Sequence, residues 1–87
     1  MRIEYHRRFK KNFQKRVAEN YALSQKFEER LRLLLADRTN QVLYNHRLKG
    51  KRNEYWSFAI TGDIRVIYKI EGGVLRLYDI GSHNQVY

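Results

Sequence analysis

Four side chains in this sequence could together act on a phosphodiester: His46, Arg65, His83 and Tyr87. Cleavage of RNA asks little of a protein, because the substrate's own 2′-hydroxyl is the nucleophile. One group must accept its proton and another must protonate the departing 5′-oxygen. Cations must neutralise the charge on the phosphorane-like transition state. Histidine suits either proton role near neutral pH. Arginine offers a planar, permanently charged fork that fits phosphate oxygens, and tyrosine can stack on an unpaired base or share in proton transfer. Competing chemistries have less to stand on. The chain has no cysteine, hence no thiol nucleophile, disulfide scaffold or thiolate metal site. His6, His46 and His83 are far apart and lack nearby ligand pairs, so no metal site is predicted. No glycine-rich phosphate loop is present, and no cofactor is expected. A triad of Ser82, His83 and Asp79 lacks the strand-turn-helix context of a nucleophile elbow.

The charge points to a polyanionic partner. The 87 residues carry 18 Lys+Arg against 9 Asp+Glu, a net charge of +9. Residues 1–52 hold 15 of the cations and 5 of the acids, whereas residues 53–87 hold 3 and 4. Such an excess on one small domain creates a positive potential over much of its surface. Nucleic acid is the first expectation, an acidic protein the second and an anionic membrane the third. No apolar run reaches the roughly 18–20 residues of a membrane span, and the start of the chain lacks the apolar core of a signal peptide. A cytoplasmic protein of one domain, residues 1–87, is expected.

The elements that must position the four side chains can be read from hydrophobic period. Arg2 to Tyr5 alternates as a short strand. Phe9, Phe13 and Val17 recur every four residues, one helical face, with Arg and Lys around the remainder. The pattern slips near Ala18–Tyr21, and Ser24 is the expected cap of a second helix with Phe27, Leu31, Leu34 and Leu35 as its stripe. Residues 38–54 read as a loop. Tyr55–Thr61, Ile64–Ile70 and Val74–Ile80 read as strands, turned at Gly62-Asp63 and Gly72-Gly73. A two-residue turn at Gly72-Gly73 pairs Ile70 with Leu75, Lys69 with Arg76, Ile67 with Tyr78 and Arg65 with Ile80. It sets Ile64, Val66, Tyr68, Ile70, Leu75 and Leu77 under the helices, and Arg65, Lys69, Arg76 and Tyr78 on the open face. The register of the first hairpin stays open, since one residue of loop would exchange the faces of Trp56 and Ser57. The predicted class is α+β: a short N-terminal strand, a two-helix hairpin, then a three-stranded antiparallel meander, with the helices on one face of the sheet.

Three segments in order carry a resemblance. They are His46-Arg47-Leu48-Lys49-Gly50, then Asp63-Ile64-Arg65-Val66-Ile67-Tyr68-Lys69, then Ile80-Gly81-Ser82-His83 with a terminal Tyr87. Together with Tyr5–Phe13 as a first helix, they resemble the RelE superfamily of bacterial and archaeal toxins, and within it the YafQ-like branch. The resemblance implies a RelE-like, microbial-RNase-type fold. It also implies a toxin of a type II toxin–antitoxin pair that cleaves mRNA in the ribosomal A site without metal and is neutralised by an antitoxin. Carried over by position, His83 would be the general acid and His46 its counterpart in proton transfer or substrate positioning. Asp63 would orient a group in the site, Arg65 would stabilise the phosphate, and Tyr87 would pack on or help activate the target nucleotide. Lys49, Lys51 and Arg52 would hold ribosomal or messenger phosphates, with Lys69 and Arg76 as further RNA contacts.

This sequence departs from the branch in three places. Ala59 stands where a further histidine is usual, Asp79 stands where an arginine is usual, and Arg65 replaces an apolar residue. Arg76 is the expected substitute for the cation missing at position 79. Two other readings use the same residues differently: a ParE-like inhibitor of DNA gyrase, and a non-catalytic basic nucleic-acid-binding module. The His83 and Tyr87 pairing and Arg65 favour the nuclease, because a gyrase binder needs no titratable pair.

Overall fold

The computed structural model describes all 87 residues. The chain runs β1 (Arg2–Tyr5), α1 (Arg7–Arg16), α2 (Tyr21–Ala36), β2 (His46–Arg47), β3 (Trp56–Ala59), β4 (Ile64–Glu71), β5 (Val74–Ser82) and α3 (His83–Val86), with 3₁₀ turns at Gln41–Leu43 and Gly50–Arg52. The fold is the expected α+β arrangement, with a wider sheet. Five strands lie in the order β1-β5-β4-β3-β2, with β1 parallel to β5 and the other neighbours antiparallel. The helix pair covers one face. Phe9, Val17, Phe27, Leu31 and Leu34 pack on Phe58, Val66, Tyr68, Leu75, Leu77 and Ile80 in a single core. These residues are apolar at helical spacing on one layer and at alternate positions on the other, so each element buries its own stripe.

Two helix details differ from the sequence reading. The Asn20 side chain, not Ser24, caps α2 by accepting from the Leu23 amide at 3.0 Å. Asparagine is at least as good an N-cap as serine, and the earlier start lets Leu23 reach the core. Leu35 is 42% exposed, because it lies about 100° round the helix from Leu34 and outside the 27-31-34 stripe. The expected loop 38–54 contains strand β2, and Leu43 and Leu48 within it are buried.

The Gly72-Gly73 hairpin forms with both glycines at positive φ, 58° and 75°, the backbone a two-residue primed turn requires. Ile70 pairs with Leu75 and Lys69 with Arg76 as expected. Beyond Tyr68 the register slips by one: Tyr68 pairs with Leu77, but Ile67 pairs with Asp79 and Arg65 with Gly81. Tyr78 is the extra residue of a β-bulge, with its ring against Tyr55 and His6 at centroid distances of 5.0 and 4.9 Å. The expected pairs Ile67–Tyr78 and Arg65–Ile80 are therefore corrected. Ile80 lies opposite Val66 and enters the core. The first hairpin settles as Phe58–Val66 and Ser57–Ile67, so Trp56 and Phe58 pack with the core and Ser57 shares the other face with Arg65. On that face α3 closes a second small cluster, Leu48, Ile67 and Val86.

Candidate active site

The outer half of the sheet assembles the site in a row. β2 sets His46 opposite Ser57, and Ser57 lies diagonally beside Arg65 on β4. The Arg65 Nε donates to Ser57 Oγ at 2.7 Å and to the Tyr87 hydroxyl at 2.9 Å, while Nη2 donates to the Tyr44 carbonyl at 2.9 Å. These three oxygens are neutral. The guanidinium therefore keeps its full charge and leaves Nη1 for an incoming anion.

The same carbonyl selects the tautomer of His46. Its Nδ1 lies 3.0 Å from the Tyr44 oxygen, which can only accept, so Nδ1 carries the proton and the lone pair of the neutral ring lies on Nε2. The contact of Arg65 Nη2 with Nδ1 at 3.4 Å then joins two donors and is not a hydrogen bond. Tyr44 supplies its carbonyl from a left-handed backbone, φ 45°. Its neighbour Asn45 is tied to the core, with Oδ1 accepting from the buried Tyr68 hydroxyl at 2.5 Å.

His83 reaches the site from the other end of the chain. It is the first residue of α3, whose start is held by Ser82 and Gln85 in a reciprocal capping box. Arg52 Nη1 donates to the Val86 carbonyl at 2.7 Å and anchors the tail. The His83 ring lies 4.4 Å from that of Tyr87, and the Tyr87 ring 6.4 Å from that of His46. A cavity of about 330 Å³ is lined by His46, Arg47, Leu48, Lys49, Arg65, His83 and Tyr87.

Four of the five candidate catalytic residues thus come together, and Asp63 does not. It is an exposed residue of the β3–β4 turn, whose backbone amide is taken by Thr61 Oγ1, and it does not line the cavity. Among the cations expected on RNA, Lys49 lines the cavity and Lys51 is exposed beside it in the 3₁₀ turn. Arg52 is committed to the tail. Lys69 lies near Glu54 and Glu71, at 3.6 and 3.8 Å, and over the Tyr55 ring. Arg76 is held by Glu4 at 2.9 Å and Glu71 at 3.2 Å. It therefore does not stand in for a cation at position 79. Asp79 is elsewhere, buried under α1, accepting from Asn12 at 2.7 Å and Arg8 at 3.2 Å. No three His, Asp or Glu side chains come close enough to hold a metal ion, and no helix is long and apolar enough to cross a membrane.

Sequence reasoning passed over Tyr44, Arg47 and Ser57. Tyr44 acts through its carbonyl, which no side-chain pattern announces. Arg47 lay inside the quoted His46–Gly50 segment. Ser57 had one signal, a small polar residue alternating between Trp56 and Phe58, but its face depended on the open register.

Comparisons with known proteins agree with this fold. Residues 1–87 match the family described as the bacterial toxin of type II toxin–antitoxin systems, YafQ. Among solved structures, the chain is similar to YafQ from E. coli, with a TM-score of 0.81 and 23% identity over 100% of this chain and 99% of that one. It is similar to the toxin of the E. coli DinJ–YafQ complex, with a TM-score of 0.76 and 26% identity over 100% and 99%. A YoeB/ParE toxin from Agrobacterium tumefaciens shares the fold, with a TM-score of 0.82 and 19% identity over 95% and 99%. A search of curated protein sequences finds no match.

Proposed function

Because the chain belongs to the YafQ family of bacterial toxins of type II toxin–antitoxin systems, we propose that it is an endoribonuclease that cleaves mRNA on the ribosome. The observation that carries the reading is the single cavity shared by His46, Arg65, His83 and Tyr87. The reaction uses side chains alone. His46 Nε2 accepts the proton of the 2′-hydroxyl as that oxygen attacks the adjacent phosphorus. Arg65 Nη1 donates to the non-bridging oxygens as negative charge builds there. His83 gives a proton to the 5′-oxygen as its bond to phosphorus breaks, leaving a 2′,3′-cyclic phosphate and a 5′-hydroxyl. The Tyr87 ring, 40% exposed, stacks on the target base. Lys49, Arg47 and Lys51 hold flanking phosphates.

Two partners follow from this proposal. The basic surface meets ribosomal RNA, with affinity that falls as salt rises. An antitoxin neutralises the toxin, as the DinJ–YafQ complex suggests, and the net charge of +9 favours an acidic one. The ribosome sets the compartment as the cytoplasm.

Expression from a tight promoter with mapping of mRNA 5′ ends tests the reading. Growth arrest with codon-phased cuts is expected. Arg65→Ala should lower the cleavage rate by about 10²–10³-fold and His83→Ala by about 10²–10⁴-fold. Intact messages with accumulating DNA breaks would instead indicate a gyrase poison.

A further inference from the structure

Ser57 is wholly buried, so it cannot touch RNA, yet its Oγ sits where Arg65 Nε and the Tyr87 hydroxyl converge, at 2.7 and 2.5 Å. A phenol has one proton to give. Two acceptors lie near that of Tyr87: Ser57 Oγ at 2.5 Å and His46 Nε2 at 3.5 Å. The imidazole nitrogen is the more basic of the two. Without a competing acceptor, a shift of about 1 Å would let the phenol donate to it. Because His46 Nδ1 is committed to Tyr44, Nε2 is the only nitrogen of that ring able to take a substrate proton. A phenol donating to it would block the step.

We propose that Ser57 is a positioning residue that draws the Tyr87 hydroxyl proton away from His46 and so keeps the Nε2 lone pair open to the substrate 2′-hydroxyl. Arg65 supports the arrangement by donating to both oxygens from one N–H, which fixes Ser57 and Tyr87 relative to each other. Lys49, which shares the cavity, brings donors and charge but no acceptor able to replace Ser57, and His83 serves there as the proton donor of the proposed reaction. The inference rests on the nuclease reading for its consequence, but not for its geometry.

Cleavage kinetics and the ¹⁵N signal of His46 Nε2 in the free protein test it, using Ser57→Ala, Ser57→Thr, Tyr87→Phe and the Ser57→Ala/Tyr87→Phe double variant. Ser57→Ala should lower kcat about tenfold or more, with KM little changed. Its Nε2 signal should move toward that of a hydrogen-bonded nitrogen. Ser57→Thr, which restores a hydroxyl, should recover the rate. The double variant should be no slower than Tyr87→Phe alone, because the blocking proton is gone. Multiplying losses in the double variant, or an unmoved Nε2 signal in Ser57→Ala, would overturn the proposal. Tyr87→Phe covers the case in which Ser57→Ala does not fold. On its own it should leave the Nε2 signal in place, and a large movement would mean that the phenol already capped His46. If the parent protein cleaves no message, the nuclease reading fails while the ¹⁵N comparison still decides the role of Ser57.

Discussion

Arg65 and His46 meet at one oxygen: Arg65 Nη2 lies 2.9 Å and His46 Nδ1 3.0 Å from the Tyr44 carbonyl. A single backbone group therefore orients the cation that would bind phosphate and selects the tautomer that would accept a proton. The group is available because Tyr44 adopts φ 45°, a conformation that costs a non-glycine residue roughly 1–2 kcal/mol. Strain of this kind collects where the surrounding structure needs it.

Tyr44→Gly should keep the carbonyl in place and leave stability within about 1 kcal/mol of the parent, since relief of strain and loss of chain stiffness oppose each other. Tyr44→Val should cost about 1–2 kcal/mol and slow cleavage, because a branched Cβ resists positive φ. Urea titrations with cleavage rates compare the two. Equal behaviour of Gly and Val would remove the backbone from the explanation.

Gly81 is required for space, not for its φ. A Cβ there would sit 2.7 Å from both Arg16 Nη1 and Gln85 Oε1, and 3.1 Å from Gln85 Cβ. Both ends are engaged, Arg16 with the Ile80 carbonyl and Gln85 with the Ser82 amide. Gly81→Ala should therefore disrupt the capping box that aims His83, at a cost of about 1 kcal/mol. Activity should fall by more than the loss of folded protein explains, as read from rates normalised to the folded fraction.

Tyr68 links the core to the site through Asn45. Tyr68→Phe should cost about 1–2 kcal/mol by leaving Asn45 without its donor. Burial pushes the Tyr68 phenol above its ordinary value of 10.0. Its contribution is thus whole below 10 and declines as pH rises toward the folded value, because the unfolded chain ionises first. The Phe variant should show a shallower alkaline loss of stability in equilibrium unfolding, and identical slopes would refute the assignment.

Asp79 fastens α1 to β5. It is 1% exposed and accepts from Asn12, Arg8 and the Ile80 amide, with Arg16 3.6 Å away. Asp79→Ala strands these donors and should cost on the order of 3 kcal/mol. Chemical denaturation measures it, and a loss below 1 kcal/mol would show that solvent replaces the carboxylate.

At the far edge, hydrogen bonding from Arg76 holds the Glu4 carboxyl below its ordinary 4.5. With the folded value the lower, the pair's contribution is present above 4.5 and lost as pH falls through the folded value. Both groups are at the surface, so the effect is small. Glu4→Gln should lower the neutral plateau slightly and flatten the stability curve below 4.5, and an unchanged acid limb would mean that the pair is silent.

The elements and the site were legible to different depths. Apolar residues at 9, 13 and 17, at 27, 31 and 34, and at alternate positions of β4 determined the helices, the strands and the buried face, because period alone says which side of an element avoids water. The Gly72-Gly73 turn determined the start of the last hairpin through its backbone requirement. Residue types and their order were sufficient to nominate His46, Arg65, His83 and Tyr87, side chains that would act by their own chemistry.

What the chain alone could not settle depends on neighbours distant in sequence. At the bulge the Tyr78 ring packs on Tyr55 and His6, and the bulge moves Gly81, not Ile80, opposite Arg65. Strand β2 has only two residues, too few for any period, and is held by its pairing with β3. Ser57 came to face Arg65, and Tyr44 to offer its carbonyl, only when those registers closed. Local pattern decides which side of a strand meets water. Which atoms meet across strands is decided by packing over the whole molecule.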